Sequence, residues 1–200
     1  MASPLSISNT SLSMLGAARI SAFDITDSPQ AALCVEFYQD CVDGLLSEWD
    51  WRFAVETRQL DRVAEALPEG LDWAYWYAIP TNCLRFIETD DKGEPRYEIV
   101  ASPTGNEGGQ LRLVSDDDEV WADMVIRKEA ALFPAHFLAA LHLRFAAMLA
   151  MPITRRVDFA QEFERKALSA VAQAKAIDFN QRPQKPLRGG RQIADARLSN

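Results

Sequence analysis

Histidine and cysteine are scarce in this chain, two of the first and three of the second in 200 residues. There is no Cys-x-x-Cys, and neither His136 nor His142 belongs to a His-Glu-x-x-His, so the zinc and dithiol signatures recognised by spacing are excluded. Six positions apart on one helix, the two histidines point about 120° away from each other, which suits packed core or interface side chains. Cys34, Cys41 and Cys83 lie in apolar surroundings, and the first two are spaced for one helix face. Reduced, buried thiols are the expectation. The opening MASPLSISNTSLSM lacks the basic start and long apolar run of a secretory signal. The chain is therefore expected to be made and kept in a reducing cytoplasm.

Catalytic groupings are equally thin. GNEGG at 105–109 has no following helix and no Lys-Ser/Thr, so it reads as a β-turn loop rather than a phosphate cradle. Asp116, Asp117, Asp118 and Glu119 are consecutive in a hairpin turn, where acids face water more often than they share a cation. Glu48, Asp50 and Glu56 near Trp49 and Trp51 resemble the carboxylates of acid–base catalysis. Sequence spacing does not set their separation, however, and a chain with 29 acids offers such pairs freely. The five tryptophans could stack bases or sugars, but their acidic surroundings favour anchoring of a helix–sheet junction. No catalytic residue, cofactor or metal is expected.

What the chain does have is a divided charge. Residues 1–131 carry 24 acids and 10 bases, a net of −14, whereas residues 132–200 carry 5 acids and 11 bases, a net of +6. Such an acidic body repels a nucleic-acid backbone, and the asymmetry points to surfaces with different partners. The hydrophobic fraction of 48% is that of an ordinary soluble globular protein.

It also has an apolar helix. Phe137–Met151, FLAALHLRFAAMLAM, is interrupted only by His142 and Arg144. A helix apolar nearly all round must be surrounded by protein. The run falls short of the roughly 20 uncharged residues that span a bilayer, so it reads as a bundle's central helix, or one that packs on copies of itself. Other helices are expected at about Asn9–Ile20, at Pro29–Glu48 (capped by Ser28, with Pro29 at the first position) and at Arg155–Phe179. Between them, RFAVETRQL, WAYWYAIP, CLRFIET, RYEIVAS, QLRLVS and EVWADMVIRK read as strands, several with clear period-two alternation. The turn formers PEG, DDKGEP, SPTGNEGG and DDD separate most of them, so short antiparallel hairpins and a small meander are expected. The last stretch is rich in proline and glycine and carries Arg182, Lys185, Arg188, Arg191 and Arg197 against Asp195. It reads as a flexible basic arm that could reach about 50 Å when extended.

The expected fold is thus α+β, mainly α. A four-helix bundle core (1–50 and 130–179) carries an inserted antiparallel β-meander (51–129), followed by an extended C-terminal tail (180–200).

Four stretches in this order carry a family likeness. They are NTSLSMLGAARISAF (9–23), ALCVEFYQDCVDGLLSEWDWRFA (32–54), LDWAYWYAIPTNCLRF (71–86) and FPAHFLAALHLRFAAMLAMPIT (133–154), the last followed by an amphipathic helix. Together they resemble the tail tubular protein A family of short-tailed bacteriophages, the head-to-tail adaptors. The resemblance implies a structural virion protein of the phage tail, not an enzyme. Its partners would be its own copies in a dodecameric ring, the portal protein on one side and the tail nozzle protein on the other, with tail fibres near by. DNA would pass through the channel without specific binding, and no membrane would be involved. In this picture the five basic residues of the arm would dock on the portal. The alternatives are a virion-associated cell-wall hydrolase, and a DNA-binding module that uses the basic tail.

Overall fold

A serine followed by a proline opens each of the first two helices. In the computed structural model, which describes residues 1–64, 67, 70–89, 97–101 and 110–181, Ser3 caps α1 (Pro4–Met14). The Ser3 hydroxyl accepts the Ser6 N–H at 3.2 Å and the Ser6 hydroxyl accepts the Ser3 N–H at 2.9 Å. Ser28 caps α2 (Pro29–Ser47) by accepting the Ala31 N–H at 3.1 Å. The first helix therefore starts and stops earlier than the expected Asn9–Ile20. It ends because Gly16, at φ +68°, supplies the left-handed residue of a Schellman turn, in which the Ala17 N–H reaches the Leu12 carbonyl at 2.9 Å.

α3 (Ala135–Thr154) and α4 (Val157–Asn180) form a hairpin. α3 continues through Pro152. So close to the C-terminus, proline's missing N–H removes a single bond, and the Arg155 N–H still closes on the Met151 carbonyl at 3.0 Å. Arg155 then takes the left-handed conformation, at φ +55°, that turns the chain into α4. At 20 residues α3 is long and apolar enough to cross a membrane by length and composition alone. Here α1, α2 and α4 pack against it. Phe137, Ala140, Leu141, Phe145, Ala146, Leu149 and Ala150 are fully buried, and each large apolar side chain among them contributes roughly 1.5–3 kcal/mol.

The middle of the chain forms two antiparallel sheets. One has the order β1 (Val55–Gln59), β7 (Trp121–Ile126), β4 (Cys83–Thr89). The other has the order β2 (Asp61–Arg62), β3 (Tyr75–Ala78), β6 (Leu111–Ser115), β5 (Tyr97–Ala101). β7 is the shared wall. Its Ala122, Met124 and Ile126 join Leu60, Tyr77 and Leu113 in an apolar layer between the sheets, while Val125 belongs to the helical core. This is period-two alternation in which one face is covered throughout and the other is covered at Val125 but open at Trp121.

Two corrections follow. The strands do not run as a meander: β1 pairs with β7, Val55 opposite Val125, across most of the β segment, and β3 pairs with β6, Trp76 opposite Val114. Only β2–β3 and β5–β6 are neighbours both in sequence and in a sheet. Nor is the helical part a four-helix bundle. α3 is a hub that α1, α2 and α4 approach separately, and Val55, Leu84, Ile87 and Val125 from the first sheet fill core space that a bundle would give to helices. The chain is α+β, with sheet and helices sharing one core. The turns DDKGEP and SPTGNEGG, most of PEG, and the basic arm lie outside the described residues.

Candidate functional site

The apolar stripe of α4 runs Ala160, Phe163, Ala167, Val171, Ala174, and the next position in that register is Asp178. A carboxylate is thereby forced into the core, where it is 1% exposed. It is well supplied with donors. One oxygen accepts the Arg52 backbone N–H at 3.1 Å, and the other accepts the Trp49 indole N–H at 3.4 Å. His136, at the start of α3 and 9% exposed, brings Nε2 to 3.7 Å from the same carboxylate, and that nitrogen has no hydrogen-bond partner.

Around this carboxylate the end of α4 is tied to the α2–β1 connection. Lys175 pairs with Glu48 at 2.8 Å and lies 5.8 Å from the centre of the Trp49 ring. The Arg52 guanidinium donates to the Gln181 carbonyl. Trp51, fully buried, donates its indole N–H to the Leu45 carbonyl at 2.8 Å and meets Phe137 edge-on with ring centres 5.0 Å apart. The cluster thus holds the point from which the basic C-terminal stretch departs. Arg182, Lys185, Arg188, Arg191 and Arg197, the sequence-derived docking residues, lie outside the described residues.

The other singled-out residues do not converge. Glu48, Asp50 and Glu56 enter three separate sets of ion pairs, with Lys175, with Arg85, and with Arg58 and Lys128. The Lys128 ammonium donating to Glu56 is the main cause of a carboxyl held below its usual range, the opposite of what a general acid requires. His142 is on α3 with its pKa lowered by burial, and its carbonyl accepts the Ser11 hydroxyl at 3.0 Å. Burial pushes all three thiols up, Cys41 to about 12, so none is a reactive thiolate. The acidic turn is hydrogen-bonded within the sheet: Asp116 accepts the Ala74 N–H at 3.2 Å and the Asp117 carbonyl accepts the Tyr77 hydroxyl at 2.5 Å. Among the described residues no His, Cys, Asp and Glu group has the makings of a metal site. Of the tryptophans, Trp49 and Trp51 sit at the helix–sheet junction, Trp76 is buried in the second sheet, and Trp121 is half exposed.

Sequence reasoning missed Asp178, although the signal was available: an acid at the next stripe position of an amphipathic helix marks a buried carboxylate in need of donors. It also missed Asn9. That side chain accepts the Ile20 N–H at 2.8 Å and donates to the Ile20 carbonyl at 3.0 Å, pinning the segment after α1.

No family model matches this chain, and no curated protein matches it.

Proposed function

We propose that this protein is a structural, non-enzymatic head-to-tail adaptor of a short-tailed bacteriophage, made in the host cytoplasm and incorporated into the virion. Copies would form a ring between the portal and the tail nozzle and extend the DNA channel, with the C-terminal arm reaching the portal.

The observation that carries the reading is the convergence of the four stretches on which the resemblance rests. Asn9 clamps Ile20 within the first, and Ser11 ties it to α3. Trp51 and Phe53 of the second pack on Phe137, in the fourth, with ring centres 5.0 Å away in each case. Leu84 of the third lies against the same core, and Arg85 pairs with Asp50. Segments separated by long stretches of chain thus form one packed unit, which is what a shared fold would require of them. Two further features favour a conduit component over an enzyme. The candidate carboxylates are taken up by ion pairs, and the outer face of α2 exposes Glu36 and Asp40 in a stretch, residues 20–51, that has seven acids and no base. Like charge gives a DNA backbone few points of attachment.

The test is electron microscopy of the full chain mixed with portal rings from the same genome, with and without residues 180–200. The expected result is a ring stacked coaxially on the portal and weakened by the truncation. Failure to associate at any salt concentration overturns the reading. Salt-sensitive duplex binding that vanishes with the truncation would instead favour the DNA-binding alternative.

A further inference from the structure

Among the described residues, nothing covers one long side of the α3–α4 hairpin. On α3, Arg144, Ala147, Met148 and Met151 follow the i, i+3, i+4, i+7 spacing of a single face. Val157, Gln161, Glu164 and Leu168, at i, i+4, i+7 and i+11, likewise share one face of α4. Between the two rows runs an open groove of about 610 Å³, floored in part by Ala160 and Ala167. Met151 and Val157 on the groove are exposed by 47% and 57%, and Leu168 further along the same face of α4 by 56%.

The charges on this face specify an occupant. Arg144 stands on the α3 rim and Glu164 on the α4 rim, and neither makes an ion pair with any described residue. Counted from the hairpin turn at residues 155–156, Arg144 is about eleven residues back and Glu164 about eight forward, so they lie within about 5 Å of the same level along the groove. A two-fold axis along the groove carries each α3 onto the facing α4. It therefore sets Arg144 of each copy against Glu164 of the other, with the apolar row of each copy laid on its counterpart. One patch with an apolar centre and opposite charges on its two rims, neither paired among the described residues, is complementary to itself, as an isologous contact requires.

We propose that the α3–α4 face binds a second copy of this chain in a two-fold pair, closed by reciprocal Arg144–Glu164 ion pairs. A two-fold pair is a closed assembly and does not grow into a ring, so this contact is separate from any ring seam and does not rest on the adaptor reading.

Sedimentation equilibrium of the full chain, over a range of concentrations and without portal, tests it. The expected result is a dimer that dissociates on dilution. Arg144→Glu alone and Glu164→Arg alone should each weaken it about tenfold or more, while the double exchange restores it. Leu168→Ser, at an exposed position, provides a second route and should also weaken the dimer without loss of helical circular dichroism. A wild-type chain that stays monomeric at every concentration overturns the proposal. So does a dimer indifferent to the single reversals, or one that the double exchange fails to restore.

Discussion

Asp178 of α4 accepts the backbone N–H of Arg52 at 3.1 Å across 126 residues of chain, so a buried carboxylate is among the contacts that tie the last helix to the α2–β1 connection. Replacing it with alanine leaves the Arg52 amide and the Trp49 indole without their acceptor. Asp178→Ala should cost about 1.5–3 kcal/mol, with Asp178→Asn in between because an amide oxygen can still accept. Chemical denaturation of the three proteins checks the order. Equal midpoints would show that the carboxylate holds nothing.

Asn9 serves both the N–H and the carbonyl of Ile20. Asn9→Ala strands both backbone groups and should cost about 2–3 kcal/mol. Asn9→Asp keeps the acceptor but loses the donor, and should be milder than alanine. Amide exchange at Ile20 reads the effect directly: the amide should lose protection in Asn9→Ala and keep it in Asn9→Asp.

Phe137 is fully buried, and its ring lies 5.0 Å from Trp51, 5.0 Å from Phe53 and 4.9 Å from Phe133, centre to centre. Phe137→Ala opens a cavity among rings that cannot all collapse into it, at about 3–5 kcal/mol. Leu168→Ala, at an exposed position, should stay within about 0.5 kcal/mol of the parent in dilute solution. Thermal melts of the pair separate folding core from surface. A large loss at Leu168 would mean that it is covered in the free chain.

Acid should weaken the fold in two stages. Burial lowers the His142 pKa from its ordinary 6.5, so below that pH the unfolded chain takes up a proton that the folded chain resists. Stability therefore falls as pH drops from about 6.5 through the folded value. Glu56 is held below its ordinary 4.5, chiefly by Lys128, so its contribution is full above 4.5 and drains as pH falls through the folded value. Urea midpoints against pH should show both declines, with His142→Leu removing the first and Glu56→Gln reducing the second. An unchanged first decline in His142→Leu would assign it to another group.

Local signals in the chain were informative where one or two residues set the geometry. Ser28 and Pro29 mark the start of α2, and the same pair at Ser3 and Pro4 marks that of α1. Gly16, within the stretch 9–20 expected to be helical, instead caps α1, because the path of the chain after Met14 requires positive φ there. The alternation of the strands could be read, but their partners could not. Period two says that a segment has two faces and is silent about which strand lies beside it.

Residues within a few positions of each other are enough to set the kinds of element, the serine caps of α1 and α2, the apolar character of α3 and the lack of dithiol and zinc motifs. Packing of the whole chain is what sets β7 between β1 and β4, makes α3 a hub shared with a sheet rather than a bundle member, and brings Asp178 to Arg52 and His136. Those outcomes depend on which apolar faces bury each other most completely and which buried polar atoms find partners, a competition settled across the whole chain at once.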